Sequence, residues 1–416
     1  AVIFDEFHER SLNADLGLAL CLEVTEALRE DLILLAMSAT LDAAPVAQVM
    51  RAGIITSEGQ SFDVAPHWLD RPVPKQTRFE AAMADLIVQA AHEAEGGLLA
   101  FLPGEGEIRR VEAALAGRLP AGCAVQPLFG AMDLTAQRAA VAPSAARKVV
   151  LATSIAETSL TIPDIRIVVD GGRSRRALFD PASGMSRLVT ERVTRAEATQ
   201  RAGRAGRVAP GRCYKLWTRG EDGALAAYPP PEIEAGDLAG FALELALWGG
   251  SEDDMAFVTP PHPGRLAEAR SLLQMLGGLD ADQRITDHGR ALARAPLHPR
   301  LAHMLERAGD GAATLAALLA DRDPLRGRGV DLALRLRALA QPDSFGEAVH
   351  RGAVARIRAD AKRLRRGRKD AGLSPAAMAA LAYGAACAAR ATHHAMFCRA
   401  ARARCCPRAT RWRASG

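Results

Sequence analysis

The chain has 416 residues, 49% hydrophobic and 24% charged, the composition of an ordinary globular protein and enough length for about two to three domains whose cores need no disulfide or metal staple. No run of 18 or more apolar residues occurs, which argues against a membrane-spanning helix. The net charge of +5 comes from the last 33 residues, which carry seven Arg and no acid, so the rest is slightly acidic and net charge alone does not establish a nucleic-acid footprint.

In chain order, Val2–Asp5 is a short apolar run ending in acid, which predicts a buried strand with carboxylates at its C-terminal edge. The opening Ala-Val-Ile-Phe-Asp, with no Met and no leader before it, reads as a start inside a domain. Leu12, Leu16, Leu20, Val24 and Leu28 give residues 11–29 helical spacing, and residues 32–36 form a second buried strand that ends at Ser38-Ala39-Thr40. Further on, helices are predicted at 81–95 and 106–119, and strands at 97–102, 148–153 and 165–170. Strands alternating with helices imply parallel α/β layers. After Pro229-Pro230-Pro231 strand runs vanish and short Ala/Leu helices take over, with candidates at 237–248, 265–276 and 312–320. Residues 351–370 read as a basic solvated helix or linker with no apolar stripe. Cys21, Cys123 and Cys213 are scattered, whereas Cys387, Cys398, Cys405 and Cys406 crowd the end, a usage expected of a reduced, cytoplasmic protein.

Four segments carry chemistry. Asp5-Glu6-Phe7-His8 follows a strand, where one carboxylate can hold Mg²⁺ and its neighbour can orient an attacking water; a solvated acidic turn is the plainer alternative. Ser38 and Thr40 could equally cap the next helix, as could Asp42. Residues 153–161, Thr-Ser-Ile-Ala-Glu-Thr-Ser-Leu-Thr, place hydroxyls on a strand-to-helix turn that can bind phosphates, with capping as the alternative. Gln200-Arg-Ala-Gly-Arg-Ala-Gly-Arg207 spaces three Arg at intervals of three, which on a helical turn puts their guanidinium groups on one face suited to a transferring phosphoryl group. Its two Gly would let another surface approach closely; in a merely solvated helix each would cost about 1 kcal/mol with no return. None of the five Lys (Lys75, Lys148, Lys215, Lys362, Lys369) is followed by Ser or Thr, so the phosphate-cradling Gly-x-x-x-x-Gly-Lys-Ser/Thr loop does not occur in these residues.

In their order, Asp5-Glu-Phe-His-Glu-Arg10, Ser38-Ala-Thr40, Phe101-Leu-Pro-Gly104, Leu151-Ala-Thr-Ser-Ile-Ala-Glu-Thr-Ser-Leu-Thr-Ile162 and Gln200–Arg207 resemble the DEAH-type superfamily 2 ATP-dependent RNA helicases, most of all the bacterial HrpB group. Pro296-Leu-His-Pro-Arg-Leu301 and Ala380-Leu-Ala-Tyr383 extend the resemblance. It implies an α/β fold with a partial first RecA-like domain (1–57) and a complete second RecA-like parallel-sheet domain (58–220). A helical winged-helix/ratchet module (230–345) and the start of a family C-terminal region (346–383) would follow.

It implies ATP and Mg²⁺ as cofactors, RNA or another single-stranded nucleic acid as partner, and no membrane. Asp5 would hold Mg²⁺ through water, and Glu6 would orient the attacking water. His8 would link the nucleotide to the second core domain, and Ser38 and Thr40 would couple hydrolysis to movement. Gln200 would position water, and Arg204 and Arg207 would reach the γ-phosphate. Thr153, Ser154 and Thr158 would touch the nucleic-acid backbone, and residues 173–189 would form a strand-wedging β-hairpin turning at Gly184.

Ser154 stands where the family usually has Asn, one donor fewer. The lack of the phosphate loop makes a non-catalytic nucleic-acid-binding piece, inactive towards ATP, the favoured expectation for this chain taken alone, with a DNA-directed motor as a third reading. Residues 384–416, where the family's Pro-Asp-Arg is replaced by an Arg- and Cys-rich, acid-free tail, read as disordered and as a reading-frame change. A zinc site on His393, His394, Cys398, Cys405 and Cys406 is the less favoured alternative, because the spacings match no closed Cys/His pattern.

Overall fold

The computed structural model describes residues 1–39, 43–57, 62–157, 162–180, 185–325, 327, 329 and 331–388. Thr40, Asp42, Thr158, Gly184 and the zinc candidates lie outside them. The elements run β1 (Val2–Phe4), α1 (Leu12–Ala27), β2 (Leu34–Ala36), α2 (Ala44–Met50), β3 (Val64–Leu69), α3 (Phe79–Glu93), β4 (Gly97–Phe101), α4 (Glu105–Leu115), β5 (Cys123–Leu128), α5 (Leu134–Val141), β6 (Arg147–Ala152), β7 (Ile165–Asp170), β8 (Arg173–Asp180), β9 (Met185–Arg192), α6 (Arg195–Gly203), β10 (Gly211–Thr218), α7 (Arg219–Gly223), α8 (Glu232–Ala235), α9 (Ala239–Trp248), α10 (Pro263–Met275), α11 (Asp287–Ala293), α12 (Pro299–Ala308), α13 (Ala313–Ala320), α14 (Leu332–Ala340), α15 (Arg351–Leu364) and α16 (Pro375–Ala388). The chain divides into two compact units: residues 1–9, 33–177 and 188–231, and residues 10–32, 178–187 and 232–416.

The first unit is built on a six-stranded parallel sheet in the order β3-β10-β7-β4-β6-β5. β4 at its centre is a continuous apolar run, and every residue of it is buried, as a strand covered on both faces requires. Met83, Ile87, Ile108 and Val111 from α3 and α4 pack on one face, and Ala140, Ala156 and Ala205 on the other. Sequence patterning did not reveal β3, β5 or β10. The first two are edge strands and contain Pro66 and Pro127, which an edge tolerates because one side of the strand has no ladder to complete. β10 is only partly apolar, but Cys213, Tyr214 and Trp217 are buried. β1 and β2 form a separate parallel pair with Val2 opposite Leu34 and Phe4 opposite Ala36. β8 and β9 pair as a two-stranded sheet across the segment expected to be a hairpin.

The second unit is helical, with two main cores. In one, Leu16 of α1 meets Ile233, Phe241, Leu245, Leu266, Leu273 and Leu292. In the other, Leu301, Met304 and Leu305 pack with Leu315, Leu339, Ile357, Leu364 and Met378. The expectation that residues 351–370 lack an apolar stripe is corrected. Ala353, Val354, Ile357, Ala361 and Leu364 are buried at helical spacing along α15. The stripe consists of small and medium side chains between many Arg, so it vanishes in a composition average.

Candidate active site

The acidic segment is placed by the β1–β2 pair. Because the strands are parallel, both C-terminal ends leave from the same edge, and their loops run side by side: Met37 N–H donates to Phe4 O and Phe7 N–H to Met37 O, both at 2.8 Å. Phe7, 1% exposed, anchors the turn. Glu6 has φ of +50°, the left-handed region, and its N–H donates to Asp5 Oδ1 at 2.8 Å. Asp5 is thereby held with an exposed carboxylate.

His8 is the junction. Its Nδ1 lies 3.5 Å from Glu6 Oε2 and 3.3 Å from the N–H of Ala39, next to Ser38. Its Nε2 lies 3.1 Å from Gln200 Nε2 on α6. If Gln200 donates, the imidazole proton sits on Nδ1, facing Glu6. If the Gln200 amide is turned to accept, the proton sits on Nε2 and Nδ1 accepts from Ala39. Both tautomers join the acidic loop to α6, and the one protonated on Nε2 also holds the Ser38 loop through Ala39 N–H.

α6 is started by a reciprocal capping box, in which the Thr194 hydroxyl accepts from Glu197 N–H and Glu197 accepts from Thr194 N–H. The three Arg that follow do not share a face, which corrects the expectation from their spacing. Arg201, 1% exposed, points into the fold between Glu157 and Asp170, with Nε donating to Glu157 Oε2 at 3.2 Å and Nη1 to Asp170 Oδ1 at 3.0 Å. Its guanidinium also lies over the Phe101 ring, 5.1 Å from the centroid. The helix tightens to a 3-10 turn at Arg204–Gly206.

Arg204, 6% exposed, donates through Nε to the main-chain oxygen of Glu157 at 2.8 Å and through Nη2 to the same oxygen. Burial and the neighbouring charge of Arg207 lower its pKa to about 10, against the pull of Glu6 and Glu157, which leaves it charged at neutral pH. Arg207 is exposed.

The two Gly of this segment differ. A Cβ on Gly206 would collide with the main-chain oxygen of Phe62 and with Val64, whereas one on Gly203 meets nothing. The close approach expected of both belongs to Gly206 alone.

Thr153 and Ser154 follow β6, with Thr153 half-buried and Ser154 exposed. The short 3-10 turn at Ser154–Ala156 receives no side-chain cap from Thr153, so capping does not account for that hydroxyl.

Glu157 and Asp170 were not singled out in the sequence, yet they organise the arginine segment. Asp170 is fully buried, and Glu157 is 7% exposed. Burial pushes the Glu157 carboxyl up to about 7; Arg201 opposes this, while Glu197 and Asp170 reinforce it. For Arg201 burial disfavours the charge, but Asp170, Glu157 and Glu197 outweigh it and hold the pKa above the ordinary value. An acid closing a mostly apolar run, as Asp170 closes residues 165–170, was the available clue.

Asp5, Glu6, His8, Ser38, Gln200 and Arg204 are thus linked through His8 and the field of Glu6. Among the described residues no group of three or more His, Cys, Asp or Glu is placed to hold a metal ion by itself. The oxygen donors of Asp5 and Glu6 instead suit a Mg²⁺ that keeps most of its waters and completes its shell with phosphate oxygens.

Residues 81–209 match the helicase conserved C-terminal domain. The chain is 47% identical over 325 residues to the ATP-dependent RNA helicase HrpB of Escherichia coli (strain K12), covering 77% of this chain and 40% of that protein. It is 35% identical over 338 residues to the chloroplastic ATP-dependent RNA helicase DEAH12 of Arabidopsis thaliana, covering 77% of this chain and 19% of that one. The crystal structure of the Escherichia coli DEAH/RHA helicase HrpB superposes with a TM-score of 0.80 at 42% identity, covering 92% of this chain and 48% of that chain. The chain therefore spans less than half the length of these relatives.

Proposed function

From a chain that resembles the DEAH-type superfamily 2 helicases, HrpB above all, and carries their conserved C-terminal domain at residues 81–209, we propose an ATP-dependent RNA helicase that couples ATP hydrolysis to translocation along, or unwinding of, nucleic acid. The observation that carries it is His8, which joins the acidic loop of β1 to Gln200 at the head of the arginine segment. This unites water-orienting and phosphate-facing groups that lie about half the chain apart.

In this reading residues 1–57 belong to a first RecA-like domain, 58–220 to a second, 230–345 to a winged-helix/ratchet module and 346–383 to the C-terminal region. Mg²⁺ held at Asp5 would neutralise phosphate charge. Glu6 orients the water and takes its proton. His8 and Gln200 fix that geometry, and Arg204 and Arg207 face the γ-phosphate, a role that elsewhere supplies about 10³–10⁵ in rate. Ser38, beside the Ala39 N–H that meets His8, shifts with the nucleotide, as Thr40 does. Thr153 and Ser154 touch the strand backbone together with Thr158. Their turn ends at Glu157, which holds Arg204, so strand and phosphate contacts share one support.

The test is phosphate release from ATP by the 416-residue chain with and without single-stranded RNA. RNA-stimulated release that falls by about 10²–10⁴ in Glu6→Gln would show that this chain taken alone turns over ATP despite lacking the phosphate loop. A folded chain that binds RNA but releases no phosphate sinks the proposal. It favours binding without turnover, the reading that agrees with the absence of a Gly-x-x-x-x-Gly-Lys-Ser/Thr loop from these residues. Matched RNA and DNA duplexes in an unwinding assay separate an RNA from a DNA motor.

A further inference from the structure

The helix α15 and the loop after it are rich in basic residues. Residues 351–369 hold nine Arg and Lys against one acid, Asp360. Four of these cations have carboxylate partners: Arg351 with Asp343, Arg356 with Asp321, Arg363 with Asp360, and Arg368 with Glu306. Two more are spent on main-chain oxygens, Arg358 on Leu339 and Ala340 at the end of α14, and Arg366 on Arg294. Lys362, Arg365 and Lys369 are exposed and make no hydrogen bond or ion pair among the described residues.

Arg358, Lys362, Arg365 and Lys369 follow one another at steps of four, three and four. The first three therefore share one side of the helical turn, with neighbouring Cβ atoms about 5–6 Å apart. Lys362 lies in the last turn of α15 and Arg365 just after it, where the negative end of the helix offsets part of their mutual repulsion.

We propose that this basic face is a second nucleic-acid contact, one that binds the phosphodiester backbone without reading sequence. Its chemistry selects that partner over two others. A membrane helix needs an apolar face to enter lipid, and here Val354, Ile357, Ala361 and Leu364 are already buried in the protein core. A protein partner needs large apolar or aromatic anchors, whereas the uncharged exposed positions from 351 to 367 are Gly352, Ala355, Ala359 and Gly367. What remains is a row of cations, which suits the regularly repeated charge of a nucleic-acid backbone.

The surface lies outside the nucleotide-site residues and is tested without nucleotide, so failure to hydrolyse ATP leaves it standing. The 416-residue chain and the variant Lys362→Gln/Arg365→Gln/Lys369→Gln are titrated with fluorescein-labelled single-stranded RNA across about 50–200 mM salt. Among the described residues these three side chains cap nothing and pair with nothing, they are not buried, and matching thermal melts confirm that the variant is folded. Weaker binding is expected, with the slope of log K against log salt shallower by about 2, three contacts at about 0.7 each. Lys362→Arg/Lys369→Arg keeps the original slope.

Equal slopes and affinities for wild type and the triple variant overturn the proposal alone. A wild-type chain that binds no RNA overturns it together with the nucleic-acid side of the proposed function. Loss of binding to phosphatidylserine vesicles or to polyglutamate, with RNA binding intact, also overturns it and assigns the face to a lipid or an acidic protein.

Discussion

Gln200 Nε2 lies 3.1 Å from His8 Nε2, although 192 residues separate them in the chain. The bond makes α6 and the loop after β1 one unit, so changes at the two positions should not add. In urea melts of His8→Ala, Gln200→Ala and the double variant, a coupling of about 0.5–1.5 kcal/mol is expected. Strict additivity would show that the contact carries no energy.

Arg204 and Arg207 differ in what they contribute to folding. Arg204 is buried and satisfies the Glu157 oxygen, so Arg204→Ala should cost about 1–3 kcal/mol of folding stability. Arg207 is exposed, and Arg207→Ala should stay within about 0.5 kcal/mol of wild type while abolishing stimulated phosphate release. Equal destabilisation by the two would refute this division.

Arg201 is a structural ion, not a phosphate ligand. Arg201→Ala strands Asp170 and Glu157 as buried carboxylates, at a cost of about 3–5 kcal/mol, visible as an early denaturant transition of the first unit. A variant as stable as wild type would mean that those carboxylates find water or protons without strain.

Gly203 and Gly206 should respond with opposite signs. Gly203 has helical angles and open space, so Gly203→Ala is expected to stabilise by about 0.4–1 kcal/mol. Gly206→Ala pushes a methyl into the Phe62 main chain and should destabilise by about 1–3 kcal/mol. Thermal melts of the two single variants give the comparison directly.

Buried Glu157 and half-buried His303 set opposite pH trends in the two units. The Glu157 carboxyl, raised by burial to about 7, binds protons more tightly folded than unfolded. Its contribution is therefore present at low pH and is lost as pH rises from about 4.5 through 7. His303, lowered to about 4 by burial and then by His288 and Arg307, is favoured as the neutral form. Its contribution is present above about 6.5 and is lost as pH falls towards 4. Urea melts at several pH values should show Glu157→Gln flattening the first trend and His303→Asn the second. Unchanged profiles in both variants would contradict these assignments.

Part of the fold was legible because local pattern suffices for it. β4 is an uninterrupted apolar run, and β6 and β7 are apolar apart from Arg147, Lys148, Arg166 and the closing Asp170, as suits strands covered on both faces. β3 and β5 escaped because an edge strand may keep polar residues and Pro, so its identity rests on the neighbour it pairs with. The buried stripe of α15 escaped because Arg dominates the composition around it.

The sequence by itself determined which residue types recur in what order: paired acids after a strand, hydroxyls after another, and Arg at steps of three. Only the tertiary structure decided that Arg201 turns inward to Asp170 and Glu157, that Gly206 rather than Gly203 meets another backbone, and that His8 reaches Gln200. Helical period and apolar continuity are short-range properties that neighbouring residues encode. Charge pairing, desolvation and close backbone approach depend on which distant segments share a volume, and that is fixed only when the sheet is assembled.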